Sequence, residues 1–557
     1  MIGGAWAKDN IPGLEEDCDD LEQILVAKTT DAEALKPHSL GEAHRRPEWV
    51  QWEQAIEEEI TTLKAAGTWR LEELPPGANV IGSKWVFKAK KDTSGWVVRY
   101  KACLVVQGFS QIDGVDYNDT YAPVTRLALT CAILVLANQL DMELQQFDVK
   151  ATYLNGELTG DEVLFMHHPP GYNQGGTGHM VLRLQKALYG LKQVGHCWYQ
   201  TLVRMLTDLS FAQCSVNQAV FHKVVPKSGQ RIIVVVHVND FTVAADSMAL
   251  IDAFSTGLRK HVELMDLGEL HWMLSLEVKH DREAGHIHIS QHMYIDSILR
   301  HFGFNKLKLL STPFDTQVRL THEQAPATAE EFALMRDVPY CEAVGVLNWA
   351  MLAMCPDIAF TVSTVARFSA NPGPAHWDTV KHIFRYLAST HDLWLSYSKT
   401  KRTLKGFVDA NGSITEDHHA VSRYTFLIDG GAVSWSSKKQ ELVSLSITES
   451  EYIAATYGMK EALWLRSLLG NIFAPVQGPT TLFSDNQSTI ALTKDHQYHP
   501  WTKHINIRYH FIRWVVEKGS LRLVHCPTAD MIADALTKAL PSTKVKHFVS
   551  CLGLRCV

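Results

Sequence analysis

Two sets of residues in this chain have the types and spacing to hold a divalent cation. The first is built around Arg231-Ile-Ile-Val-Val-Val-His-Val-Asn-Asp-Phe-Thr-Val-Ala-Ala245. Two apolar runs flank Asn239-Asp240, which predicts a β-hairpin with a tight polar turn. A carboxylate at such a tip is held rigidly and faces solvent, as a ligand for a hard cation must. Upstream, Glu143-Leu-Gln-Gln-Phe-Asp-Val-Lys-Ala-Thr-Tyr-Leu-Asn-Gly156 places Asp148 where a short strand gives way to a helix. The second set lies near the C-terminus. Asp409 follows the strand-like Leu404–Val408, Glu449 opens a helix, Asp485 ends the strand-like Thr481–Ser484, and Asp534 lies in Ala529–Lys538. Four converging carboxylates could hold two Mg²⁺ and activate a water for phosphodiester hydrolysis. Any one of these acids is more often a solvated surface charge, and Asn-Asp alone is also an ordinary turn. Asp530 and Glu451 are near misses, ranked below Asp534 and Glu449.

The elements that must position these residues follow a mixed α/β order. Residues 1–45 form an acidic lead without periodicity. An amphipathic helix is predicted over 47–66 with Gly67 as its stop, then strands at 69–74, 80–90 and 96–107. Helix 122–139, strand 142–148, helix 149–156 and helix 194–209 surround the hairpin. Residues 247–310 read as largely helical, with a hairpin near 274–290. The stretch 311–337 is the best linker candidate, 338–397 returns to helix, and 404–540 alternates strand and helix as a separate unit.

At 557 residues the chain exceeds one core, and three to five units of ~100–200 residues are expected. A composition of 46% hydrophobic and 20% charged residues is ordinary for a soluble protein. The longest apolar runs, 127–140 and 231–238, are too short to span a bilayer, so no membrane partner is expected. No secretory signal is visible at the start, which points to the cytosol. The ten cysteines include no Cys-x-x-Cys pair. The histidines at 496, 499, 504 and 510 fit no zinc spacing. A formal charge of −7 argues against a generally basic nucleic-acid binder, yet Lys84, Lys88, Lys90, Lys91, Arg99 and Lys101 are opposed by Asp92 alone across 84–101. Local charge, not the total, attracts a phosphate backbone.

The motifs together resemble the reverse transcriptase of copia-type LTR retrotransposons. In that family the first signature ends in Phe-Leu-Asn-Gly and the second reads Tyr-Val-Asp-Asp; this chain has Tyr153-Leu-Asn-Gly156 and His237-Val-Asn-Asp240. Leu188-Tyr-Gly-Leu-Lys-Gln193, Arg99-Tyr-Lys-Ala-Cys-Leu-Val105, Gly108-Phe-Ser-Gln111, Met265-Asp-Leu-Gly268 and Pro356-Asp-Ile-Ala-Phe360 also match, in order, from about Trp49 to Leu554. The resemblance implies an α/β (α+β) protein with right-hand polymerase fingers, palm and thumb, followed by an RNase H-like α/β domain. The implied division is fingers and palm over 46–246, a thumb-like region over 247–310, a linker and connection region over 311–400, the RNase H-like domain over 401–541, and a tail over 542–557. It assigns metal ligation and catalysis in the polymerase to Asp148 and Asp240, with Asn239 in the place of a third carboxylate. Lys84, Lys101, Tyr153 and Gln193 become the nucleotide-binding residues, Tyr153 as the aromatic that rejects a 2′-hydroxyl. Asp409, Glu449, Asp485 and Asp534 become the metal-holding acids of a ribonuclease H. The implied cofactor is Mg²⁺, two per site, or Mn²⁺. The implied partners are an RNA template, a DNA primer, the RNA–DNA hybrid, other retroelement polyprotein products and a second copy of the chain. The implied location is a cytoplasmic virus-like particle, or the nucleus.

Several departures from the family pattern bear on activity. An amide at Asn239 lacks the charge that stabilises Mg²⁺ near a triphosphate, a deficit of several kcal/mol, or ~10³-fold or more in rate. Cys103 stands where the family usually has Arg, and a thiol does not replace a guanidinium on phosphate. Arg is likewise replaced at His196, Cys355 and Trp501, Asp at Asn217 and Asn506, and Gly at Ser275 and Arg423. Each needs only a C→T or G→A change, the direction of cytosine deamination, whereas His237 for Tyr needs the opposite transition. Two readings follow: a polymerase–nuclease with a damaged polymerase centre, and a non-catalytic remnant that binds nucleic acid. No protease signature, zinc knuckle or His/Cys cluster is found, as expected of a polyprotein tail or a truncated reading frame.

Overall fold

The computed structural model describes residues 36–91, 97–158, 162–172, 180–304, 308–400, 404–411, 419–441, 443–444, 446–474, 476–494, 506–536 and 538–557. Most of the acidic lead, together with His496, His499, Trp501 and His504, lies outside them. The chain forms two compact units, one from Met1–Tyr121 and Tyr153–Trp198, the other from Ala122–Thr152 and Tyr199–Val557.

In the first unit, helix Trp49–Ala65 ends before Gly67, whose φ of 65° is the left-handed stop that its lack of a Cβ permits. The fully buried Trp52 on this helix meets Phe87 and Tyr100 edge-on at 5.2 and 4.6 Å. Those two rings belong to an antiparallel ribbon of Ser83–Lys91 and Val97–Val106. One ribbon face is therefore core, and strand alternation leaves Lys84, Lys88, Arg99, Lys101 and Cys103 on the other. A four-stranded sheet, in the order Trp69–Glu73, Met180–Leu184, Phe165–Met166 and Val80–Ile81, completes this unit.

Among the described residues the second unit holds three sheets. The first has the order Leu264–Glu269, Glu143–Val149, Asp240–Ala245, Arg231–His237, Val220–Val224 and Ala212–Gln213. Its second and third strands pair in register, Asp240 opposite Asp148, and the apolar helix Leu127–Leu140 belongs to the same unit. The second sheet contains Trp272–Met273, Leu276–Asp281, His286–Ser290, Leu393–Ser398 and Leu554–Cys556. Among the described residues of 247–310, expected to be largely helical, the helices are Met248–Leu258 and His292–His301, with strands between them. Pairing with Glu143–Val149 and with the C-terminal strands overrides local pattern there. The predicted helix 149–156 is a single 3₁₀ turn, Thr152–Asn155, entered through Ala151 at φ 50°. Within 311–337, read as a linker, helix Ala329–Met335 is capped by Thr328 and Glu331.

The third sheet has the order Gly431–Lys439, Val421–Ile428, Lys405–Asn411, Thr480–Ser484 and Leu521–His525. The first three strands are antiparallel and the last two join in parallel. Helix Ile447–Ile472 crosses it closely at Gly458, where a Cβ would come within 2.3 Å of Val408. Among the described residues no helix is long and apolar enough to cross a membrane.

Candidate active sites

The hairpin at 231–245 forms, but its two-residue turn is Val238-Asn239, one position before the expected Asn239-Asp240, with His237 and Asp240 paired across it. Val238 in that turn has φ 55°, a left-handed conformation that costs a β-branched residue about 1–2 kcal/mol. The turn is held from outside: Val149 N–H donates to Asn239 O at 3.0 Å, and Thr125 Oγ1 donates to Val236 O at 2.8 Å. Asp148, Asn239 and Asp240 come together at this sheet edge, each half-buried. The Asn239 amide, however, donates from Nδ2 to Asp148 Oδ1 at 2.5 Å. An ionised carboxylate accepts only, so an Asn beside it must present its NH₂. A metal here would need an acceptor in that place. The trio therefore fits a divalent cation poorly as it stands.

In the other unit, Lys84 and Lys101 are exposed on the basic ribbon face. Cys103 lies between them, and burial raises its thiol pKa, so it adds no charge of either sign at neutral pH. Tyr153 is half-buried and set edge-on against Tyr189 at 4.8 Å. Gln193 departs from expectation. It is fully buried, its Oε1 accepts from Gln111 at 2.9 Å, and its Nε2 donates to Asp116 O at 2.8 Å and Glu162 at 3.3 Å. Its amide ties loops together and is not presented to a nucleotide.

The C-terminal sheet gathers a tighter acidic site. Ligand oxygens of Asp409, Glu451 and Asp485 lie within 4.8 Å of one another. Glu449, the residue expected from sequence, is not among them. It sits in the first helical turn, where its backbone N–H donates to the Ser446 cap at 3.1 Å. Two residues on a helix are about 200° apart, so Glu449 and Glu451 cannot share a face. The missed signal was periodic: Glu451 continues the buried stripe of Ala455, Gly458, Ala462 and Leu465 at helical spacing. Asp534 is fully buried nearby and ion-paired with Lys538 at 2.7 Å, outside the three-oxygen cluster.

Burial raises the pKa of Glu451, and the charges of Asp409 and Asp485 raise it further. Burial and Asp534 likewise raise Asp409, while Arg423 pulls it down. Glu451 is 5% exposed, and its Oε2 has no hydrogen-bond partner. Clustered carboxylates with a buried, unsatisfied oxygen are costly without a cation and suit a hard divalent ion. Unlike the hairpin site, this donor set fits one.

A family model described as reverse transcriptase (RNA-dependent DNA polymerase) matches residues 66–316. A putative transposon Ty5-1 protein of Saccharomyces cerevisiae is 30% identical over 318 residues, which cover 99% of its length and 56% of this chain. The chain belongs to the copia-type retrotransposon reverse transcriptase family. Over 96% of its length it is 38% identical to a retrovirus-related Pol polyprotein from transposon TNT 1-94 of Nicotiana tabacum, spanning 40% of that protein. It is 31% identical over 90% of its length to the transposon RE2 polyprotein of Arabidopsis thaliana, spanning 34% of it. The chain thus spans well under half the length of these two plant relatives. A solved foamy viral protease–reverse transcriptase in complex with double-stranded DNA is a remote likeness, with a TM-score of 0.42 and 11% identity over 85% of this chain and 69% of that one. The hairpin, Asp148 and the basic ribbon all fall inside the matched reverse transcriptase region, and the Asp409 cluster lies beyond it.

Proposed function

We propose that this copia-type chain is the reverse transcriptase and ribonuclease H portion of a Pol polyprotein, with an impaired polymerase centre and a nuclease centre that keeps its acids. The observation that carries the reading is the contrast between the two sites. Around Asp148 an amide donates a hydrogen bond where a third carboxylate belongs in the family, whereas Asp409, Glu451 and Asp485 converge with an unsatisfied oxygen. In this reading Asp409, Glu451 and Asp485 hold Mg²⁺ or Mn²⁺, with Asp534 beside them. The bound ion would supply Lewis-acid activation of a phosphodiester and of water. The RNA strand of an RNA–DNA hybrid is the substrate. Template RNA and DNA primer engage the palm, and Lys84 and Lys101 offer charge to a nucleotide. Action on the element's own transcript, in cytoplasmic particles or the nucleus and alongside other polyprotein products, is part of the same proposal.

Asn239 and Cys103 favour a second reading, a remnant that binds nucleic acid without chemistry. Primer extension on an RNA template and cleavage of a labelled hybrid, both with Mg²⁺, separate the two. Under the first reading the hybrid is cut, extension is absent, and Asn239→Asp restores extension. Under the second the chain retains hybrid but neither cuts nor extends. Efficient extension by the unaltered chain would refute impairment at Asn239.

A further inference from the structure

The side chain of Arg423 belongs to no role considered so far. It is 1% exposed and stands directly opposite Asp409 on the neighbouring strand. Opposed side chains of an antiparallel pair share a face and start about 5 Å apart at Cβ. Its Nε donates to Ser437 Oγ at 3.1 Å, its guanidinium lies 5.5 Å from the Phe360 ring centre, and its Nη1 has no hydrogen-bond partner. A guanidinium this buried normally forms a bidentate ion pair. Here burial lowers its pKa to about 9, and Asp409, Asp534 and Glu451 offset that only in part. It remains a cation at neutral pH, fixed on the sheet face it shares with Asp409.

We propose that Arg423 is a tethered cation that sets the divalent-metal affinity of the Asp409–Glu451–Asp485 site by cancelling part of its negative charge. The inference rests on the nuclease reading of that site and deepens it. Two observations point to it independently of fold. Arg423 faces Asp409 across the strand pair and its Nη1 has no hydrogen-bond partner, so the two charges feel each other through space without a neutralising contact at that nitrogen. Both lie where few solvent dipoles screen them. A single positive charge about 8 Å from a divalent ion, at an effective dielectric constant of about 20, weakens binding by roughly 10³-fold at most. Screening through the half-exposed Asp485 rim reduces that to an expected ~10- to 100-fold.

The test is Mn²⁺ binding by the full chain at neutral pH, read by electron paramagnetic resonance of free Mn²⁺ and needing no catalysis. Arg423→Met, which keeps volume and loses charge, should bind at least about 10-fold more tightly than the unaltered chain, and Arg423→Lys within about threefold of it. The gain should vanish in Arg423→Met combined with Asp409→Asn. Arg423→Gly carries the same expectation as a second neutral variant, and melting in chelator shows which variants are folded. Equal affinity of a folded neutral variant and the unaltered chain, with Asp409→Asn weakening both, would mean a real metal site on which Arg423 has no influence, and would overturn the proposal. Mn²⁺ binding indifferent to Asp409→Asn in every background would instead remove the nuclease reading itself.

Discussion

Asn239→Asp should make the protein less stable without metal and newly responsive to it. The Asn239 amide now gives Asp148 a hydrogen bond at 2.5 Å. Replacing it removes a charge-assisted bond worth about 1.5–3 kcal/mol. It also sets two carboxylates side by side, with Asp240 opposite Asp148 as a third. Two like charges about 4 Å apart cost ~4 kcal/mol at an effective dielectric constant of about 20. Half-exposure and side-chain rotation discount that to ~1–2 kcal/mol, so the sum is ~2.5–5 kcal/mol in chelator. A divalent ion reverses the sign, because three carboxylates at a rigid tip bind it and the unfolded chain does not. At a free concentration 100 times its dissociation constant the ion returns about 2.7 kcal/mol. Thermal melting of both forms in EDTA and over a Mg²⁺ or Mn²⁺ series measures each part. The variant should melt lower in EDTA, and its rise with metal should exceed that of the parent, whose own response comes from the Asp409 cluster in the same unit. A variant as stable as its parent in EDTA, with no added response to metal, would refute the idea that the amide stands in a metal's place.

Glu451→Gln should abolish hybrid cleavage, whereas Glu449→Gln should leave it within about twofold; equal losses would return the role to Glu449. The same Glu451→Gln variant should be more stable in chelator near pH 7, by ~1–3 kcal/mol. Glu451 and Asp409 have raised folded pKa values, so their contribution is fully present below the unfolded carboxylate range and is lost as pH rises through the folded values. Metal-free protein should therefore melt highest in mild acid, and Glu451→Gln should flatten that slope in a pH series of melting curves. Ser275, at φ 61°, occupies a left-handed position where the family usually has glycine. Ser275→Gly should gain ~0.5–1 kcal/mol in urea unfolding, and a loss would show that its hydroxyl outweighs the backbone strain. In the Asn239→Asp background, Cys103→Arg should lower the KM for deoxynucleotides by about 10-fold with little change in kcat, since it adds charge to a face already carrying Lys84 and Lys101. An unchanged KM would exclude that face from triphosphate binding.

What could be read from sequence was whatever a short window encodes. The hairpin around Asn239-Asp240, the helix stopped at Gly67 and the ribbon of 83–106 each carry their own pattern of alternation, punctuation or caps. The positions of Asp148, Asp240, Asp409 and Asp485 could be placed because Asp240 opens a strand, Asp148 and Asp409 lie within two residues of a strand's end, and Asp485 follows one. Two errors came from distance. Strand Leu264–Glu269 pairs with Glu143–Val149, more than a hundred residues upstream, so its local helical signal meant little. Gln193 sits in a motif that reads as ligand-facing, yet its partners Gln111 and Asp116 are some eighty residues upstream. The Glu449 error was of another kind. The helical stripe that selects Glu451 is present in the sequence, two positions beyond the acid that opens the helix.

The sheet order has a consequence for synthesis on the ribosome. Strand Glu143–Val149 has both its neighbours later in the chain, at Asp240–Ala245 and Leu264–Glu269, so nothing translated before it can cover either edge. Asp148 and Asn239 are 91 residues apart. At about 5–20 residues per second, the strand waits on the order of ten seconds before its second neighbour exists. Through that interval it presents two bare backbone edges and the apolar Leu144, Phe147 and Val149. The nascent chain is thus open to chaperones, and to mispairing with its own siblings on a polysome, over the very segment that later sets Asp148 beside Asn239.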